Sequence, residues 1–480
     1  MEKKKKWRIN GVVVILAVAV VVFSLISIVN HILFRTYGLD LGLYTNVMFD
    51  YSHLRWNDCT FFEPTPRNFL SDHFDLYLVL LSPLIWVTGK YTLLIVQVVS
   101  VLWGALGVYR FVYSMWKGRG MTDRTVQGAG LAAMVSFLFF FGVWQAFGFD
   151  YHSNVVATMW IPWIFYWLRE RRFKRYAIAV VLVCMAKENM ALWLVFVLLA
   201  LLWDYRKERR TLIWIGSGIA FCIVYLCVVT MLVMPLLNPE KVHFLGKFKY
   251  MGDSFGGVVG WIVTHPWATV RNLFVNFLDL PQGNGLKAEF YICMLLSGGL
   301  LCFFKPNWLL MVVPLVAQKM LADDIALWGV GSHYSVEFAP VLVCGVFAWV
   351  AGLRWNRLRW AAVVAMPLMC IAVTVYTCSS PKAWVQRENV RLFDKRHYRQ
   401  EQFDCRYARQ LLKKIPSDAS VCASQCFTPH LALRDSLYLY PMGLSYNPEY
   451  VLVDKNNVST DTAGLHLMET DGTVFLFKTR

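Results

Sequence analysis

Twelve ionisable side chains fall on one side of the topology expected below, several of them right beside apolar runs: Asp40, Asp58, Asp72, His73, Asp75, Asp150, His152, Lys187, Glu188, Asp323, Asp324 and His333. Carboxylates and imidazoles so placed can move a proton, hold a cation or bind an anion. Asp40 lies in Arg35-Thr36-Tyr37-Gly38-Leu39-Asp40-Leu41-Gly42. The flanking glycines let the backbone turn and approach a ligand. A carboxylate there can serve as a general base towards a hydroxyl; its plainer role is to cap the helix that follows, 41–51. Ser71-Asp72-His73-Phe74-Asp75 and Phe149-Asp150-Tyr151-His152 each set a carboxylate beside an imidazole. Two such pairs suit a divalent ion, while Asp72 alone suits a helix cap. Lys187, next to Glu188 inside an apolar run, needs an anion once desolvated, either a phosphate oxygen or an ion-pair partner. His333-Tyr334 precedes another apolar run and can face the same cavity.

The apolar runs must position these groups. The chain has 480 residues, 57% hydrophobic, 16% aromatic and 16% charged. That excludes a disordered chain, argues against an ordinary soluble enzyme and points to an integral membrane protein. Net charge is +16, yet 21 of the 47 Lys and Arg fall in short clusters at 1–8, 117–124, 169–175, 204–210, Lys305 and 354–359. Basic loops between apolar runs report topology, and no single basic face is built for nucleic acid.

With these clusters inside, the uncharged run 11–29 is an uncleaved first transmembrane helix. The loop 31–90 lies outside, with four basic residues against six carboxylates, and 74–88 is too short to span and lies at the interface. Spans follow at 91–116, 127–147 and 155–168. The run 176–203 has basic clusters at both ends, which one crossing cannot satisfy. A pair of short helices, 176–186 and 190–203, turning at Lys187-Glu188-Asn189, resolves it; one long helix with an internal charge pair is the rival. Broken helices at membrane depth are tolerated only where protein or a cavity covers them. A span at 211–235 leads to a second outer loop, 236–288, with an amphipathic interfacial stretch over 256–280. Spans at 290–304, 308–321, 336–353 and 360–377 complete eleven.

The tail has 14 basic and 11 acidic residues and no long apolar run. Its pattern predicts a helix over 403–415 and strands over 420–424, 436–440, 450–454 and 473–478. The expected architecture is an all-α polytopic membrane domain over 1–378, with a cytoplasmic N-terminus, and a small extracytoplasmic α/β domain over 379–480. The 12 Cys include no CxxC. In an oxidising compartment a bridge among Cys405, Cys422 and Cys426 is open.

The ordered set Tyr37-Gly-Leu-Asp40-Leu-Gly42, Asp72-His73-Phe74, Phe149-Asp150-Tyr-His152, Ala186-Lys187-Glu188 and His333-Tyr334 continues in the tail with Ala423-Ser424, Thr428-Pro429-His430-Leu431, Arg434 and Tyr450-Val-Leu-Val-Asp454. It resembles a family of bacterial multi-pass membrane proteins of unknown function. That family is similar to the GT-C glycosyltransferases, which take sugars from polyprenyl-phosphate carriers. The resemblance implies a multi-helix membrane domain, a large first outer loop, a polyprenyl-phosphate sugar donor and Asp40 as catalytic base. Lys187, Glu188, His333, Tyr334 and Arg35 become candidates for the donor. Asp72, His73, Asp150 and His152 become candidates for the acceptor or a divalent metal ion, and His430 and Arg434 are the tail's candidates. The chain departs from the pattern in one respect: Asp40 stands alone between two leucines, where many GT-C members pair two acids. The implied activity is sugar transfer to a glycan, lipid or protein acceptor on the outer face of the bacterial cytoplasmic membrane. The alternatives are a lipid-linked-sugar transporter and a non-catalytic glycan-assembly or binding protein.

Overall fold

The computed structural model describes residues 10–61, 67–238, 246–380, 390–458, 462 and 464–479; the basic cluster 1–8 lies outside the described residues. The chain is mostly helical. Five helices are long and apolar enough to cross a membrane: Gly11–Ile32, Leu76–Lys117, Arg209–Leu237, Pro281–Cys302 and Asn356–Ser379. Asp123–Leu138 and Phe141–Phe147, bent by 46°, make a sixth if counted together. The eleven expected crossings are therefore found only in the coarser form of several apolar helices.

Shorter helices take up the remaining runs, and local chemistry explains their breaks. Ser153–Thr158 stops before Ile161–Arg169, whose second residue is Pro162. Phe173–Cys184 is separated from Glu188–Asp204 by Lys187, which is extended at φ −156° and ψ 155°. The pair of short helices expected over 176–203 is thus present, and the single long helix is not. The stretch after residue 74 breaks at Pro83 and again at Gly89, where φ is +55°; the 26-residue helix Thr92–Lys117 follows. In the stretch expected as the second outer loop, Phe255–Thr264 and Pro266–Phe274 leave Val263, Trp267 and Phe274 exposed, as suits helices lying in an interface. Lys287 ties this loop down. Its buried ammonium donates to the Asn272, Val275 and Met320 carbonyls and sits 3.9 Å from the Trp328 ring centre.

The tail carries a five-stranded sheet in the order Leu437–Leu439, Val421–Ala423, Tyr450–Asp454, Val474–Lys478, His466–Thr470. The first three strands run parallel, and the last two add antiparallel. Four strands and the helix Cys405–Lys414 match the sequence pattern. His466–Thr470 escapes it because this edge strand is almost wholly solvated and lacks an apolar face. Cys405, Cys422 and Cys426 carry free thiols, so the bridge left open among them is not formed. Cys422 is instead packed with Tyr440 and Val451.

The tail is fastened to the segment that follows the first helix. The Asn46 amide donates to the carbonyls of Ala432 at 3.1 Å and Arg434 at 2.9 Å. Arg55 joins Asp50 at 3.0 Å to Asp435 at 2.7 Å. The Thr60 hydroxyl donates to the Leu437 carbonyl at 2.9 Å.

Two contacts fix the frame under the motifs noted above. Asp75, not Asp72, caps Leu76–Leu81, accepting the Tyr77 N–H at 3.0 Å. The Leu76 N–H donates to the Met185 carbonyl at 2.8 Å, which joins this helix to the break at Lys187. Burial pushes the Asp75 carboxyl up to about 7, against the Ser153 hydroxyl and the Lys187 charge. Gly142 lets Phe141–Phe147 touch the main chain before Phe338–Val350: a Cβ there would stand 2.2 Å from the Ser335 carbonyl oxygen.

Gly142→Ala should therefore cost about 1–3 kcal/mol, because backbone rather than a flexible side chain must yield, and should lower the Tm of the detergent-solubilised protein. For Asp75 the sign follows from the raised value. Between the ordinary carboxylate range near 4 and about 7, the folded protein holds a proton that the unfolded chain has lost. Stability therefore falls as pH rises through that window. Asp75→Asn keeps a good cap and removes this titration. Its Tm should match wild type near pH 4 and exceed it by several degrees at pH 8; a gap independent of pH would contradict the assignment.

Candidate functional site

Asp40 is delivered by the first helix. After Ile32 the chain turns at Phe34, with φ +58°, and enters a single π-helical turn, Gly38–Gly42, that runs into Leu43–Ser52. Such turns are rare and frequently functional. Gly42 occupies the cap position of Leu43–Ser52 without a side-chain bond, so Asp40 is not spent as a helix cap. The two glycines serve a purpose other than ligand approach: the tail packs on them. A Cβ on Gly38 would meet Gln425 at 2.8 Å, and one on Gly42 would meet Thr428 at 3.0 Å. The Leu39 N–H donates to the Gln425 side chain at 3.1 Å.

Asp40 Oδ1 lies 3.3 Å from His152 Nε2, with Asp40 about one-fifth exposed and His152 buried. Burial, the largest influence, keeps the imidazole in its neutral form. Nε2 then carries the proton towards the carboxylate, and Nδ1 has no partner among the described residues. The His333 ring stacks on His152 with centres 3.5 Å apart, and Phe149 stacks on His152 at 5.4 Å and lies tilted against His333 at 5.6 Å. His333 is likewise held neutral by burial and then by the charges around it.

Asp150 organises this pair. It is buried at a left-handed φ of +58°, a strained choice for a residue with a side chain. Its Oδ2 accepts the Tyr37 N–H at 2.6 Å, at the start of the turn that carries Asp40. Gln97 donates to the Asp150 carbonyl at 2.6 Å and accepts the His152 N–H at 3.0 Å. Burial raises the Asp150 carboxyl well above the ordinary range, opposed by the Tyr37 bond.

A second wall comes from the broken helices. Glu188 is buried, accepts the Phe74 N–H at 3.3 Å and lies 3.5 Å from His73 Nδ1. His73 Nε2 is 3.9 Å from Asp72. Lys187 is half-buried, makes no hydrogen bond or ion pair among the described residues, and acts electrostatically on Asp75, Glu188, Glu337, His152 and His333. An ammonium held at a helix break without a fixed partner is suited to an incoming anion.

The structure thus brings together Asp40, Asp150, His152, His333, Lys187, Glu188 and His73, with Tyr334 against His333 at 4.1 Å. It does not gather Asp72, His73, Asp150 and His152 as a ligand set. Asp150 is engaged by the Tyr37 N–H and His73 by Glu188. Among the described residues no group of three or more His, Cys, Asp or Glu is disposed to hold a metal ion. Three other candidates hold the tail in place. Arg35 donates to the Arg396, His397 and Arg399 carbonyls. Arg434 is buried on the Pro416, Ala419 and Leu431 carbonyls. His430 stacks on His31 at 4.2 Å and lies 3.1 Å from Lys90 Nζ.

Sequence reading missed Glu337 and Lys319. Glu337 is buried and accepts from the Asn154 amide at 2.6 Å, while the Lys319 ammonium is buried with no hydrogen-bond partner among the described residues. Both sit inside apolar runs. A charge in such a run is itself a functional signal, the same signal that marks Lys187 and Glu188.

The fold is shared with a solved structure. ArnT from Cupriavidus metallidurans bound to undecaprenyl phosphate matches with a TM-score of 0.56 at 13% identity, covering 98% of each chain. The apo state of that ArnT matches at 0.47 and 14% identity over 97% of each chain. At 13% identity the first of these likenesses speaks for the fold alone. No curated protein matches. A family model described as "Predicted membrane protein (DUF2079)" matches residues 30–470, and the chain belongs to that family.

Proposed function

We propose that this protein is an inverting glycosyltransferase that takes a sugar from a polyprenyl-phosphate carrier at the outer face of the bacterial cytoplasmic membrane. The observation that carries the reading is the Asp40–His152 pair at 3.3 Å beside the unpartnered Lys187 ammonium. Undecaprenyl phosphate bound to the similarly folded ArnT supports the carrier class, and the acceptor is a glycan, lipid or protein hydroxyl. The basic clusters support a cytoplasmic N-terminus, eleven crossings in which broken helices take part, and an extracytoplasmic domain over 379–480.

In the step proposed, Asp40 takes the proton of the acceptor hydroxyl while its oxygen forms a bond to the anomeric carbon. The bond from that carbon to the phosphate oxygen breaks, and the electron pair leaves with the lipid phosphate. A single displacement inverts the anomeric centre. His152, donating from Nε2, holds the Asp40 carboxylate in register. Lys187 stabilises the charge that grows on the leaving phosphate, an effect typically worth about 2.7–4 kcal/mol of barrier.

The test is purified protein in nanodiscs with a panel of polyprenyl-phosphate sugars, reading free polyprenyl phosphate by mass spectrometry. Asp40→Asn should cut release by about 10²–10⁴-fold, the usual contribution of a positioned base, with Tm unchanged. Lys187→Met should cut it by about 10²–10³-fold. Wild-type turnover by Asp40→Asn would remove Asp40 from the mechanism. Binding of donors without release, in every acceptor condition, would favour the non-catalytic alternative.

A further inference from the structure

The helices that meet at the site continue to a second charged region. Gln97 lies near one end of Thr92–Lys117, and Glu188 opens Glu188–Asp204. At about 1.5 Å per residue, their other ends lie roughly 25–30 Å from the site. Two adjoining cavities open there, of about 260 Å³ and about 590 Å³, which share Arg169, Tyr205 and Glu208. Arg119, Arg169 and Lys305 line the smaller, and Arg110, Lys117 and Arg171 join the larger.

The carboxylates present are already engaged. Asp204 lies 3.7 Å from Lys305 and accepts the Trp308 indole N–H at 2.9 Å. Glu208 lies 3.2 Å from Arg171 and accepts the Thr211 hydroxyl at 3.1 Å, and Glu170 accepts the Ser114 hydroxyl. Arg110, Lys117, Arg119 and Arg169 have no ion pair among the described residues. The two arginines at the centre are nonetheless held in place. Arg119 donates to the Ala351 carbonyl at 3.1 Å, and Arg169 Nε donates to the Ser114 hydroxyl at 3.2 Å. Gly118 makes room for Arg169: a Cβ there would stand 2.5 Å from Nη2. Partial burial and the neighbouring charges of Arg169 and Arg359 disfavour the Arg119 guanidinium. Like charges held close with their carboxylates spent elsewhere call for an external anion.

We propose that these joined cavities bind a phosphate-bearing anion, either the headgroup of an anionic phospholipid in the adjoining leaflet or a soluble phosphate compound. Fixed guanidinium forks match phosphate oxygens in pairs, and Tyr113, Tyr166 and Tyr205 line the same space. The site is separate from the transferase reading and does not depend on it.

The full-length protein would be placed in nanodiscs of phosphatidylcholine alone or mixed with phosphatidylglycerol. Retained lipid would be counted by native mass spectrometry and Tm measured alongside. A second arm titrates inorganic phosphate and pyrophosphate into the phosphatidylcholine discs. Wild type should retain phosphatidylglycerol and gain Tm, and Arg119→Gln with Arg169→Gln should weaken both by about tenfold. Stabilisation by phosphate or pyrophosphate alone, lost in the same variant, would assign a soluble anion. No response, or an equal response in wild type and variant, would overturn the site. Arg110→Gln with Lys117→Gln, on the exposed rim, carries the comparison if the first variant fails to fold.

Discussion

A buried carboxylate must find hydrogen-bond donors, and much of this structure follows from where Asp150 finds its own. Its bond to the Tyr37 N–H spans from the loop before Ser153–Thr158 to the turn after the first helix. In a low-dielectric setting such a bond is strong when made and costly when lost. Gln97 closes the arrangement from a third segment by holding both the Asp150 carbonyl and the His152 N–H. Asp40 and His152 therefore face each other because three separate stretches of chain are pinned to one strained residue, with φ +58°. Strain tolerated at a site of converging titratable groups is a mark of function.

The tail is part of that device. Gly38 and Gly42 bracket Asp40, and both lie where a Cβ would collide with Gln425 or Thr428. The tail thus presses on the back of the turn whose other side presents the carboxylate. Arg35 and His430, which by type resemble ligand-binding groups, act on carbonyls and rings at this junction. Arg434 binds carbonyls within the tail itself.

What the sequence reveals follows from range. Local signals are legible: the break at Lys187, the period-two strand Tyr450–Asp454, and the carboxylate–imidazole pairs beside apolar runs. The count of crossings is not, because Phe173–Cys184 and Ser153–Thr158 are short helices supported by neighbours rather than by their own length. The partner of each ionisable group is also set by contacts far apart in sequence. Nothing near Asp150 says that its donor is Tyr37, 113 residues away, and nothing near Glu337 points to Asn154, 183 residues away.

Charge is sorted along the helices in a way that local reading catches only in part. One end carries carboxylates, imidazoles and a free ammonium, and the other carries arginines whose local carboxylates are engaged. At the first end Lys319 and Glu337 also sit in apolar surroundings, acting electrostatically on each other and on the site. Burying an ammonium without a hydrogen bond is expensive. Its position beside His333 and Glu337, rather than in lipid, keeps that cost tied to the site. A reading that treats most of the apolar runs as inert walls passes these groups over. In this protein the walls supply Glu337 and Lys319, and Gln97, which pins the main chain of Asp150 and His152, stands within one of those runs.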